Sequence, residues 1–361
     1  MSTSDHAVLL PNSVTRVASL GGGVIGQSWT ALFLAAGKSV AVYDPDPATE
    51  MRVRQAVETA WPALVELGLA DQGNPDDVCF CDDARTAVDG AEFVQESVPE
   101  RVDVKHELYA TIEPALQPET VVASSASGLT LREMQAGWQR PDRFVLGHPF
   151  NPPHLIPLVE VMGNEHTGPG VVEWARTFYE SVGKVTIELK REVPGHVANR
   201  LQAALWREVI NLVNEGVASV EDIDTAVSAG PGLRWAAMGP TQLFHLGAGD
   251  GGLTAFCERY ADSFNRWFDS LGSPHLDELS AKSLVAGLAS ITESHSIQDL
   301  SNQRDVLITG MISLAVISGP SKERIDDCQL GSRHRRGGDE VRFQRELSAQ
   351  TQARRQDAAN R

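Results

Sequence analysis

Apolar residues fall in short unbroken blocks through the first half of the chain and at helical spacing through the second. Val14 to Leu20 reads as a buried strand. Gly21, Gly22, Gly23, Val24, Ile25 and Gly26 follow, then an apolar helical stretch from Ser28 to Ala36 that Gly37 closes. Ser39 to Tyr43 is a second strand, ending at Asp44 and Pro45. Residues 48–70 alternate apolar and charged positions at helical spacing, and Pro62 predicts a break there. A third strand fits Glu92 to Gln95, a fourth Thr120 to Ala123, and a later one Lys184 to Leu189. Strands alternating with helices predict a mostly parallel sheet with both faces covered.

The strand signal stops near residue 190. Pro194 suits the first turn of a helix, and Val197, Leu201, Leu205, Val209, Leu212 and Val213 repeat at helical spacing up to Gly216. Further helical patterns begin at Val220 and span 250–268, 276–290 and 297–317. The predicted architecture is α/β: a Rossmann-type domain over residues 1–190, then an all-helical domain over 191–319. Residues 320–361 hold ten Lys/Arg against seven Asp/Glu and few large apolar side chains, which predicts a disordered tail.

One stretch interrupts the alternation. From Arg143 to Met162, two apolar runs flank a Pro-rich turn around Pro152 and Pro153. Proline cannot continue a strand ladder, so the chain must turn there. If the runs pair antiparallel about residue 154, positions 148 and 160 lie opposite each other. That register sets an imidazole, His148, beside a carboxylate, Glu160. A carboxylate on one ring nitrogen fixes the tautomer and raises the basicity of the other, as a general base requires. Taken alone, the stretch equally fits a surface histidine and an unrelated strand-end glutamate.

The glycine turn narrows the choice. Gly21, Gly23 and Gly26 match G-x-G-x-x-G between a strand and a helix, and Asp44 closes the next strand 18 residues after Gly26. Such glycines let the backbone turn tightly and approach a pyrophosphate at a helix N-terminus. Val24 and Ile25 lie in the same turn. Asp44 would accept hydrogen bonds from ribose hydroxyls and repel a 2′-phosphate, so the expected cofactor is NAD. Two polar turns, Glu96 to Glu100 and Ser124 to Gly128, follow the third and fourth strands, where a doubly wound sheet forms its ligand crevice.

Composition adds exclusions. The net charge of −17 argues against a nucleic-acid partner and an anionic membrane surface. No run approaches a membrane span, and Met1 to Asn12 lacks the pattern of a signal peptide. Cys79, Cys81, Cys257 and Cys328 have no metal-ligand spacing, so free thiols in a cytoplasmic protein and no metal are expected.

In order and spacing, GGGVIG, Asp44, ESVPE, SSASG, GHPFNPP…LVEV and VPGHVANR resemble the 3-hydroxyacyl-CoA dehydrogenase family, from about residue 14 to about 318. The long PFNPP…PLVEV segment and Gly230 to Trp235 are most similar to the branch containing L-carnitine dehydrogenase and the lambda-crystallin-like L-gulonate 3-dehydrogenase. The resemblance implies that His148 is the catalytic base with Glu160 as its partner. It implies that Ser127 and Asn199 hold the substrate oxygens, that Glu100 and Lys105 lie near the nicotinamide half of the cofactor, and that the protein is a homodimer. Two departures stand out: Ser125 and Ala126 occupy a usual Asn-Thr, and His196 a common Phe.

The expected reaction is NAD-dependent oxidation of the 3-hydroxyl of a free L-3-hydroxy acid, carnitine-like or L-gulonate-like. His148 takes the hydroxyl proton and Glu160 stabilises the imidazolium. Arg234, followed by Trp235 in a Gly/Pro-rich turn, would bind the substrate carboxylate; pairing with a local acid or helix end is the alternative. Phe150, Trp235 and Phe244 could face a cationic head group. The competing functions are a 3-hydroxyacyl-CoA dehydrogenase of fatty-acid metabolism and a non-catalytic, crystallin-like dinucleotide binder. The helical domain is expected to form the dimer.

Overall fold

The computed structural model describes residues 9–314. The tail expected over 320–361 lies outside them, as does the last part of the helical segment expected up to 319. In chain order the elements are β1 (Arg16–Leu20), α1 (Val24–Ala35), β2 (Ser39–Tyr43), α2 (Thr49–Glu66), β3 (Val78–Phe80), α3 (Ala84–Val88), β4 (Phe93–Glu96), α4 (Val102–Ile112), β5 (Val121–Ser124) and α5 (Leu131–Gln135). Then come β6 (Phe144–Pro149), β7 (Leu158–Met162), α6 (Val171–Ser181) and β8 (Val185–Glu188). Helices alone follow: α7 (Ala198–Asn214), α8 (Val220–Ala229), α9 (Pro231–Ala237), α10 (Pro240–Leu246), α11 (Gly252–Ser270), α12 (Glu278–Thr292) and α13 (Ile297–Leu314).

The strands form one sheet in the order β3-β2-β1-β4-β5-β6-β7-β8. Every pairing is parallel except β6 with β7. Strand order reverses between β1 and β4, which opens a crevice beyond their C-terminal ends. The central strands are apolar on both faces because helices cover both. One core joins Trp29, Phe33, Phe93, Phe178 and Tyr179; the other face packs Tyr109, Trp138 and Phe144.

Three local expectations are corrected. β3 was not anticipated: it has three residues and alternates between half-buried and exposed, too short for a hydrophobic run to register. Pro62 does not break α2, which runs through it. Pro62 and Glu58, whose carbonyl loses its donor, are both exposed, so that carbonyl is not forced to go unpaired in the core. Pro194 is not in the first turn of α7. Gly195 and His196, at φ +75° and +52°, cannot belong to a right-handed helix, so α7 starts only at Ala198.

The β6–β7 hairpin is the irregular part of the sheet, and it is tied down from below. Ser28 on α1 accepts from the His154 amide and bonds His154 Nδ1, both at 2.8 Å. Lys184, buried, donates to the carbonyls of Pro153 and Ile156, with Nζ 5.3 Å from the Trp29 ring centre. Burial lowers the Lys184 pKa to about 7. Burial also takes His154 down to about 4, Lys184 and Arg304 adding to the effect against Asp305.

Two predictions follow from this packing. A Cβ on Gly147 would lie 2.1 Å from the hydroxyl of Tyr179, which is itself buried and bonded to Gln95. Gly147→Ala should therefore cost about 1–3 kcal/mol of stability, read as a lower urea midpoint; an unchanged midpoint would show that Tyr179 can give way. His154 ordinarily titrates near 6.5 and in the fold near 4. Across that window the unfolded chain binds the proton and the folded chain does not, so stability falls as pH drops from 6.5 to 4. His154→Asn should flatten that part of the urea-midpoint profile, and parallel profiles would refute the assignment.

Candidate active site

The glycine turn opens the crevice. Gly21 has φ +99°, and a Cβ there would lie 2.6 Å from the Ser97 carbonyl oxygen. A Cβ on Gly26 would lie 1.8 Å from the Gly21 carbonyl oxygen, so β1 and α1 can pack this closely only without one. A Cβ on Gly23 would meet nothing within 4 Å: that side of the turn faces open space. No side chain caps α1, so the first-turn amides, with Val24 and Ile25 among them, are free to receive an anion. Asp44 at the end of β2 accepts from the amides of Gly22 and Asp46 at 2.7 and 2.9 Å. Its carboxylate keeps lone pairs for further donors. These residues fit the two phosphates and adenosine ribose of NAD.

A cavity of about 270 Å³ lies farther along the crevice, lined by Ile25, Ser97, Val98, Glu100, Lys105, Ser125, Ala126, Ser127, His148, Pro149, Phe150, Asn151 and Asn199. His148 and Glu160 are Cα partners across β6 and β7, the register expected from their equal distance to residue 154. His148 Nδ1 is 2.8 Å from Glu160 Oε2. Nε2 has no hydrogen bond among the described residues, on a ring that lines the cavity. The other oxygen, Oε1, accepts from the amides of Val197 and Ala198 at 2.9 and 3.0 Å. Burial opposes ionisation of Glu160, but the bonds from His148, Ala198 and Val197 outweigh it and hold the pKa below the ordinary carboxylate value. A charged Glu160 in turn fixes the Nδ1–H tautomer of His148 and leaves the Nε2 lone pair toward the cavity.

Glu100 reaches across to the turn after β5. It accepts from Ser127 N and Oγ and from the amides of Gly128 and Leu129. Burial would raise its pKa, but the amides of Gly128 and Leu129 and both Ser127 groups lower it further. Glu100 is thus the clamp that shapes the Ser127 turn, besides lining the cavity. Lys105 lines the cavity too, yet its charge is engaged: Nζ is 2.6 Å from Glu96 Oε1, with both side chains buried. Glu96 also accepts from Tyr109 and Ser124 hydroxyls at 2.7 and 2.8 Å. Ser125 Oγ joins Trp29, Gln95 and Ser97 at 3.2, 2.9 and 2.9 Å.

Two expected substrate residues are not brought to this cavity. Arg234 and Trp235 lie in a helix, α9, rather than in an open turn, because Pro231 starts one. Both are exposed and neither lines the cavity. Phe244 packs on Phe256 and Phe264 instead; of the three aromatics considered for a cationic head group, Phe150 alone reaches the lining. The Glu96 hub, the Glu100 clamp and the Lys184 anchor were not foreseen, since their partners are distant in sequence.

Comparison with known proteins agrees with this architecture. Residues 16–193 match the model of the 3-hydroxyacyl-CoA dehydrogenase NAD binding domain, and residues 195–282 that family's C-terminal domain. The chain is 45% identical over 313 residues to L-carnitine dehydrogenase of Streptomyces coelicolor, covering 87% of this chain and 98% of that one. It is 40% identical to L-carnitine dehydrogenase of Bacillus cereus, covering 84% and 93%. Among solved structures it is similar to an NAD+ dependent dismutase, 5-formyl-3-hydroxy-2-methylpyridine 4-carboxylic acid 5-dehydrogenase. That match has a TM-score of 0.74 and 31% identity, covering 85% of this chain and 100% of that one.

Proposed function

The chain belongs to the 3-hydroxyacyl-CoA dehydrogenase family and is an NAD-dependent oxidoreductase, and from that premise we propose that it oxidises the 3-hydroxyl of a free L-3-hydroxy acid of the carnitine type to the 3-oxo acid. The observation that carries the reading is the His148 Nδ1 to Glu160 Oε2 contact of 2.8 Å, on a histidine whose other face lines the cavity beside Ser127 and Asn199.

Bound NAD+ would supply the acceptor for the hydrogen that leaves the carbon. Gly21, Gly23, Val24, Ile25, Gly26 and Asp44 would hold its phosphates and adenosine ribose. His148 Nε2 takes the hydroxyl proton, and the Glu160 carboxylate balances the charge that forms on the ring. Ser127, kept in place by Glu100, and Asn199 orient the hydroxyl and the neighbouring oxygen. The ionised state of Glu160 matters here: it is available as a counter-charge throughout the neutral range, because its pKa is depressed.

Two features favour a carnitine-type acid over a coenzyme A thioester. The 40–45% identity is to enzymes named L-carnitine dehydrogenase. The cavity lining also holds one Lys/Arg side chain, Lys105, already engaged by Glu96, whereas the Phe150 ring in the same lining suits a cationic head group. We further propose that two chains associate through the helical segment. Large apolar side chains stand exposed there, among them Leu201, Trp206, Leu233, Trp267 and Phe268. Association would cover them.

NADH formation with L-carnitine, L-gulonate and 3-hydroxybutyrate, and NADH loss with acetoacetyl-CoA, test the substrate class. L-Carnitine should give the highest kcat/KM, and a preference for the thioester would reverse the reading. His148→Ala should lower kcat about 10²- to 10⁴-fold and Glu160→Gln about 10- to 100-fold, each with NADH binding, followed by tryptophan fluorescence, unchanged. Near-normal turnover in either variant removes that residue from the mechanism. Sedimentation should give twice the 39.0 kDa of one chain; the single-chain mass at micromolar concentration would reject the dimer.

A further inference from the structure

The two residues ahead of α7 have a second role beside ending the preceding loop. His196, at φ +52°, is the one non-glycine in the left-handed region among the described residues. Glycine takes that conformation more readily than a residue carrying a Cβ, so the surrounding structure must hold this one in place. The residue is buried, 4% exposed. Its ring lies against that of His148, with centroids 5.0 Å apart and planes tilted by 53°. Its Nε2 donates to the carbonyl of Ala126 at 3.3 Å, in the turn that carries Ser127. The next two amides, of Val197 and Ala198, hold Glu160 Oε1. Residues 196–198 therefore touch the ring of the base, the carboxylate behind it and the turn in front of it.

His196 Nδ1 is buried without a hydrogen-bond partner among the described residues. With the Nε2 proton directed at the Ala126 carbonyl, Nδ1 is a bare lone pair of the neutral ring. Protonating it would create a buried N–H without an acceptor, on a cation beside the imidazole that must itself become cationic. Burial and His148 lower the pKa of His196. The Ala126 carbonyl, Glu160 and Glu100, the other groups facing it, act in the opposite sense without overcoming them.

We propose that His196 is a positioning residue: it locks the Ser125–Gly128 turn to the face of His148, and so sets the distance between the proton acceptor and the hydroxyl that Ser127 orients. It does this as a neutral ring, so that only His148 gains charge during turnover. This rests on the role proposed above for His148.

The test uses the full chain with NAD+ and the best substrate of the panel above, L-carnitine first. His196→Gln keeps an amide donor for the Ala126 carbonyl; His196→Phe keeps the ring and loses the donor. His196→Phe should lose about tenfold or more in kcat while KM for NAD+ stays within about twofold, and His196→Gln should stay within about threefold of the parent kcat. Parent-like kcat in His196→Phe, or His196→Gln no better than His196→Phe, overturns the proposal. A second readout needs no turnover. In spectra of the ¹⁵N-histidine-labelled chain, the resonances absent from His196→Gln should show a neutral Nε2–H ring at pH 6.5, the ordinary titration point of the group. An Nδ1–H ring or an imidazolium there overturns it, even if the phenylalanine variant fails to fold. If His148→Ala keeps its turnover, the reading of the base fails instead, while the His196 spectrum stands as measured.

Discussion

Glu160 is the group on which the rest of the site depends. A carboxylate 1% exposed is costly unless every oxygen is engaged, and here both are. Oε2 faces His148 and Oε1 closes the start of α7. The first amides of a helix carry partial positive charge and lack partners of their own, so the contact serves both sides. One side chain thereby fixes the tautomer of His148, the origin of the first helix after the sheet, and the place of Asn199 on that helix. Shifting β7 by one residue against β6 would turn Glu160 to the other face of the sheet and remove all three at once.

The loops of the crevice are bound to one another in the same manner. Glu100, after β4, takes its donors from the turn after β5. Ser28 on the cofactor helix holds the turn between β6 and β7. Glu96 joins β4, α4 and β5 through Lys105, Tyr109 and Ser124. The Glu96 contacts are buried, so they are stronger for being out of water and expensive to leave incomplete; those of Ser28 are half-buried and those of Glu100 exposed. Ser127 and His148 are therefore held by carboxylates from other elements, Glu100 and Glu160, the kind of support that a geometry tolerance of a fraction of an ångström requires.

Much of this was legible in the chain, and the limits have physical reasons. The glycine spacing and Asp44 announced the cradle because few sequences can bring a backbone that close to itself. The His148–Glu160 pairing could be read from a turn and two equal counts along an antiparallel ladder, where contact is local. β3 escaped because three half-exposed residues carry no periodicity. Pro62 misled because a proline on a solvated helix face loses little. Glu96 and Lys184 look like ordinary charged residues until the fold brings them their partners. Arg234 has the chemistry of a carboxylate partner, but its place on α9, outside the lining of this cavity, could not be read from residue type alone.

The antiparallel reversal between β6 and β7 has a consequence for how the site comes into being. In the rest of the sheet, neighbours such as β1 and β4 meet only after long stretches of chain have been closed into loops. His148 and Glu160 are separated by 12 positions, and closing so short a loop costs little configurational entropy. The imidazole–carboxylate pair is therefore a local contact embedded in a topology of distant ones. Its register is set within the hairpin itself, whereas Asn199 is placed by the helix that follows, so the two sides of the cavity rest on contacts of different range.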